Sequence, residues 1–202
     1  MTESTPVRQR RGRGARERIL KAATELFRAQ GINATGMDQL ASVATVSKRS
    51  LYVHFASKDK LVQAYLQGLD EDLLPAPVSP DAEVPDPREE LLAVFDSEAR
   101  HTVSPLRGCP FLNVSVEVPD PRHPAHQLAA AHKTEFARRL ADVARRSGLS
   151  SPEVLGEQLA VLFDGAVARS VVLNSAETFD CARSIAETLI DAALVDARPS
   201  LG

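Results

Sequence analysis

Residues Ser47–Leu61 read SKRSLYVHFASKDKL, with two Ser-Lys pairs ten residues apart. Between them Leu51 and Phe55 are spaced four apart, so on a helix they fall on one side and form a seam, with Val46 just before it. Serine accepts a hydrogen bond from the amides of a first helical turn. Ser47 therefore predicts a helix through about His54, and Ser57 predicts the start of another. Asp59 lies in the first turn of that second helix, where the positive end of the dipole favours it. What remains on the short helix is basic and hydrogen-bonding. It has one apolar side to pack and one polar side to present.

Upstream, Ile19, Ala22/Ala23, Leu26 and Phe27 repeat with the period of an amphipathic helix, which we place at Arg16–Gln30. Gly31 suits its left-handed end. Thr35-Gly36-Met37-Asp38 has the outline of a capping box, starting a short helix over 36–43. Three helices in this space, with a tight break at Ala44-Thr45-Val46, make helix-turn-helix geometry.

Downstream, the helix from Ser57 carries Leu61, Val62, Tyr65, Leu66, Leu69 and Leu73. Pro75, Pro77, Pro80, Pro85 and Pro87 then rule out helix or central strand. Further helices are predicted at 88–102, 125–147, 152–174 and 179–197, with Gly148 as a stop and Ser151-Pro152 as a start. Residues 111–118, FLNVSVEV, alternate like a strand. No other segment alternates so cleanly, and a lone strand has no partner, so we assign a helix against the local pattern. The expected class is all-α. Its parts are a basic arm (1–15), a helix-turn-helix domain (16–56), a connecting helix (57–74), a proline-rich linker (75–87) and a C-terminal helical domain (88–202).

Charge is segregated along the chain. Residues 1–56 hold ten Lys/Arg against four Asp/Glu, a local +6, while the remainder carries −9 and the whole −3. A polyanion partner for the N-terminal part alone fits that pattern. No run of 18 apolar residues occurs, and the N-terminus is Arg-rich with no apolar core behind it. A membrane span and a secretory signal are therefore not expected, and a cytoplasmic location is. Cys109 and Cys181 are too few for a disulfide scaffold and are read as small buried hydrophobes. No phosphate loop, nucleophile elbow or His-Glu-x-x-His helix occurs, so no enzymatic activity and no cofactor are expected. His123 and His126 have i, i+3 spacing but no complementary Cys or carboxylate, and no metal site is assigned.

The first 65 residues resemble the DNA-binding domain of the tetracycline-repressor-like (TetR) family of bacterial regulators. The resemblance rests on Ile19-Leu20-Lys21-Ala22-Ala23, Leu26-Phe27, Gly31, Thr35, Leu51-Tyr52-Val53-His54-Phe55, Ser57-Lys58 and Leu61. The run Gly108–Asn113, with Pro119 to Pro124, is similar to one of its subgroups. The family commonly has glycine where this chain has Thr45. A β-branched residue is strained at positive φ, so either the turn adopts another conformation or it carries a cost.

The resemblance gives the outer face of the Ser47 helix its purpose. Lys48, Arg49 and Ser50 lie at the end of such a helix that reaches base edges, and Arg49 suits the two acceptors of guanine. Tyr52, His54 and Lys58 are similar to family positions that hold the phosphate backbone, with Thr35 adding another. A reader of this size is expected to bind a palindromic double-stranded operator as a homodimer. The helix at 152–174 is apolar round most of its surface, which implies burial on two sides. Leu155, Leu159, Leu162 and Ala166, with Ile185 and Leu189 of the last helix, are the expected dimer contacts. As in similar regulators, the other helices are expected to surround a pocket for a small, mainly apolar effector. Its expected walls are Phe95, His101, Cys109, Phe111, Asn113, Glu117, His132 and Phe136. The competing reading is a sequence-blind architectural DNA binder, which would have no use for an acidic, pocket-forming body of this length.

Overall fold

The structure is a computed structural model that describes residues 8–73, 86–100 and 106–196. Expectations for residues 1–7, for most of the proline-rich segment and for His101 lie outside the described residues. All regular structure among the described residues is helical: α1 (Arg8–Gln30), α2 (Met37–Val43), α3 (Lys48–His54), α4 (Lys58–Leu73), α5 (Pro87–Arg100), α6 (Pro110–Glu117), α7 (Pro124–Arg146), α8 (Pro152–Leu173) and α9 (Glu177–Asp196).

The segment with a strand's alternation is therefore α6, as assigned, with Phe111 and Val114 as its buried residues. A spacing of three, not two, decides which side is buried. One boundary differs more than the rest. Helix α1 begins at Arg8 and not at Arg16, so the expected arm is helical from Arg8 onward. Arginine is a good helix former, and buried Ala15 extends the stripe of Ile19 and Ala22 by one turn.

The chain divides into two compact units: Met1–Asp72 with Pro110–Ala129, and Leu73–Cys109 with Ala130–Gly202. Residues 110–129, which the sequence reading gave to the C-terminal domain, thus belong with the N-terminal helices. In this first unit α1, α2 and α3 pack on one another. Phe27 of α1 meets Tyr65 of α4 edge-on, with ring centroids 5.3 Å apart. Arg18 Nε donates to the Ala44 carbonyl at 3.1 Å, which fixes the end of α2 to α1.

Three helix ends share one device. After α2, the Thr45 amide donates to Ser42 O and the Val46 amide to Ala41 O; the same pair of bonds closes α7 at Gly148 and α8 at Asn174. Each needs a left-handed residue, with φ of 51° at Thr45, 67° at Gly148 and 46° at Asn174. Thr45 therefore takes the strained alternative.

In the second unit α9 packs against both α5 and α8. Phe95, Phe136, Phe163 and Phe179 meet at its centre, with Phe163 ring centroids 5.1 Å from Phe136 and 6.1 Å from the other two. Gly156 of α8 lies against the α7 backbone; a Cβ there would stand 2.7 Å from Ala137 O. Any side chain would push the two helices apart. Cys181 is exposed and Cys109 is half-buried against this core, so neither is the fully buried hydrophobe expected.

Candidate nucleic-acid interface

Helix α3 is built as its sequence demands. Ser47 Oγ accepts the Ser50 amide at 3.1 Å, and Leu51 and Phe55 are buried. Arg16 of α1 stacks its guanidinium 5.5 Å from the Phe55 ring centroid, covering the far end of the seam. With that side anchored, the outer side carries exposed Lys48 and Arg49, Tyr52 at 43% exposure and Val53 at 75%, beside half-buried Ser50 and His54. Val53 was not singled out from the sequence. An exposed apolar side chain on a basic helix gives the same face a surface able to touch a thymine methyl.

Lys48 Nζ also lies 2.7 Å from Asp38 Oδ1 of α2. The carboxylate beside it holds the ammonium above its ordinary pKa, chiefly through the hydrogen bond, so Lys48 stays charged. Ser57 Oγ accepts the Lys60 amide at 3.2 Å and starts α4 as expected. Lys58, one residue in, reaches Asn33 O at 3.5 Å.

Thr35 is not on this face. It is 1% exposed, and its hydroxyl donates to Gly31 O at 2.7 Å while accepting from Gln30 Nε2 at 3.2 Å. The expected capping box does not form, because Gly36 is the residue that precedes α2 and no side chain caps it. Thr35 instead closes the end of α1, and its side chain is withdrawn from the DNA-facing set.

The expected pocket residues are shared out between the two units. Phe95 and Phe136 lie in the aromatic core of the second unit, with Cys109 against that core and His132 buried on α7. Phe111, Asn113 and Glu117 belong to the first unit. Asn113 is exposed. Glu117 is committed elsewhere: Oε1 accepts the Ile32 amide at 3.0 Å and Oε2 the Asn33 amide at 2.6 Å. His123 and His126 have separate partners. His123 Nδ1 accepts the Ala125 amide at 3.2 Å with Nε2 3.5 Å from Asp59, and His126 Nδ1 lies 2.8 Å from Val118 O.

The expected dimer residues also divide. Leu155, Leu159 and Ala166 are buried in the core of the second unit, and Leu162 and Leu189 are partly buried against it. Ile185 is exposed. Periodicity found that α8 is apolar on two sides but could not say which side was inward. The outward stripe is Val154, Gln158, Val161, Gly165, Ala168 and Val172, spaced alternately by four and three.

The DNA-reading segment is where comparison is most specific: residues 19–65 match the model of the bacterial regulatory proteins of the tetR family. A solved structure from Streptomyces avermitilis, described as a TetR transcriptional regulator, is 35% identical. It aligns over 89% of this chain and 97% of its own, with a TM-score of 0.78. The chain belongs to the TetR family. A TetR-family transcriptional regulator from Streptomyces coelicolor is 29% identical over 92% of this chain and 96% of its own, with a TM-score of 0.74.

Among curated TetR-type relatives, the transcriptional regulator TcmR of Streptomyces glaucescens is 38% identical over 79 residues, 37% of this chain and 35% of that protein. The transcriptional repressor NicS of Pseudomonas putida is 30% identical over 104 residues, 50% of this chain and 49% of that protein. The chain thus spans about a third to a half of the curated relatives it matches first. The curated relatives are named as helix-turn-helix transcriptional regulators, and the solved structures as TetR regulators. Among the described residues no helix is long and apolar enough to cross a membrane.

Proposed function

We propose that the protein is a repressor that binds a palindromic operator as a homodimer and releases it on binding a small, mainly apolar effector. The observation that carries this reading is α3, whose inner side is buried through Leu51 and whose outer side offers Lys48, Arg49, Tyr52 and Val53 together. Arg49 suits a guanine edge, Tyr52 and His54 the backbone, and Lys58 a phosphate, because charge without shape carries affinity and no code. One such helix reads too few bases for specificity. The uncharged stripe on α8, with exposed Ile185 on α9, supports pairing of two copies. Repression is favoured by the name of the relative NicS. For the effector, Phe95, Cys109, His132 and Phe136 remain as candidates within one unit, and His132 is the polar group able to orient a ligand there.

The test is selection of bound duplexes from a random-sequence pool, followed by footprinting. One short protected site with two-fold symmetry supports the reading. Uniform protection of every duplex at the same protein concentration would instead support a sequence-blind DNA binder.

A further inference from the structure

Glu117 ends α6, where a carboxylate opposes the negative end of the helix dipole and gains nothing for its own helix. Its gain lies in the turn after α1. Two successive backbone amides, of Ile32 and Asn33, converge on the two carboxylate oxygens at 3.0 and 2.6 Å, and Asn33 Nδ2 donates to the Glu117 carbonyl at 3.1 Å. Successive amides following a left-handed residue form a concave anion cradle, and such bonds to a charged acceptor are the stronger kind. Gly31 supplies the left-handed residue, at φ +91°, and also the room. A Cβ there would stand 3.0 Å from Glu117 Oε1. The backbone at Gly31 thus favours glycine, and a Cβ there would also crowd the carboxylate.

What the cradle holds in place is Asn33, whose carbonyl receives Lys58 Nζ at 3.5 Å. Asn33 is pinned by its amide and its side chain while its carbonyl faces the lysine. We propose that Glu117 is a positioning residue for DNA binding: by clamping the 31–33 turn it sets Asn33, and through Asn33 it aims the Lys58 ammonium at a phosphate. This rests on the reading of Lys58 as a phosphate ligand. The two are separable, because Lys58 acts on the DNA directly and Glu117 only through the turn.

The experiment uses the full chain and a 30-base-pair duplex of arbitrary sequence, with binding followed by fluorescence anisotropy across a salt series. Each phosphate neutralised adds about 0.9 to the slope of log K against log salt. Lys58→Ala should flatten the slope by about that amount per bound subunit. Glu117→Gln, of nearly the same volume, should flatten it toward the Lys58→Ala value and weaken low-salt binding roughly 3- to 10-fold, the share of one misaimed contact. Adding Glu117→Gln to Lys58→Ala should then change nothing further. Hydrogen exchange at Ile32 and Asn33 should speed at least tenfold while the α1 amides keep their rates, a pattern that general destabilisation would not give. If Glu117→Gln does not fold, Asn33→Ala, which removes only the side-chain bond, should flatten the slope in the same direction. A wild-type slope in Glu117→Gln, or in Asn33→Ala if it must stand in, with a flattened one in Lys58→Ala, overturns the proposal alone. A wild-type slope in Lys58→Ala overturns the phosphate-ligand reading, and the route through it falls too.

Discussion

Lys48 Nζ lies 2.7 Å from Asp38 Oδ1, so the first residue of α3 is ion-paired to the second residue of α2 across the turn between them. Both side chains are well exposed, and such a pair contributes little to stability. Its consequence is for DNA, since the ammonium must be shared between Asp38 and any phosphate or base acceptor. Asp38→Asn should leave the thermal midpoint where it is, tighten binding to every duplex, and steepen the salt slope by up to about 0.9 per subunit. A lower midpoint with unchanged binding would make the pair a structural one instead.

Thr45 closes α2 with the same two backbone bonds that Gly148 and Asn174 make for their helices, but it is the β-branched one of the three. Left-handed backbone costs a residue with a Cβ about 1–2 kcal/mol, part of which glycine gives back through its freer unfolded chain. Thr45→Gly should raise stability by about 0.5–1 kcal/mol, a midpoint gain of roughly 1–4 °C for a chain of this size. Gly148→Thr should do the reverse. Loss of stability in Thr45→Gly would mean that the threonine side chain makes a compensating contact.

On α7, Glu135 receives Arg138 Nε at 2.6 Å and Arg139 Nε at 2.9 Å. Hydrogen bonds from Arg138 first, then Arg139, hold its pKa down from 4.5 to about 2. A pKa lower in the folded state than in the unfolded one stabilises the fold above the unfolded value, and the gain disappears as pH falls from about 4.5 through about 2. Wild type should therefore lose stability faster than Glu135→Gln across that window, as read by urea midpoints at each pH. Parallel curves would show that solvent screens the cluster.

Much of this was legible because local rules act alone in places. Ser47, Ser57, Gly31 and Pro152 mark helix ends through chemistry within a turn, and the end of α1 and the starts of α3, α4 and α8 followed from them. Glu117 was not legible. Its partners, Ile32 and Asn33, are 85 and 84 residues away, and only the folded chain brings an acid to those amides. Thr35 misled for a related reason. A threonine between two helices can cap the second or close the first, and the sequence carries both patterns; burial selects closure of the first.

The two apolar sides of α8 can be told apart by substitution. Leu159 is 0% exposed in the subunit core, while Val161 is 64% and Val172 83% exposed on the outward stripe. Leu159→Asp should prevent folding, since an unpaired carboxylate in the core costs several kcal/mol with no relief from a partner. Val161→Asp meets only water in a single subunit and should leave helical content and hydrogen exchange of the core unchanged. In a two-fold pair the same stripe faces its own copy, so each substitution enters the interface twice. Even about 2 kcal/mol for each carboxylate raises the dimer dissociation constant roughly 1,000-fold. Sedimentation at micromolar protein should then show a folded monomer, with binding to the selected duplex falling to that of a single reading head. A Val161→Asp chain that still sediments as a dimer would take the α8 stripe out of the interface and move the candidate surface to α9, where Ile185 is exposed.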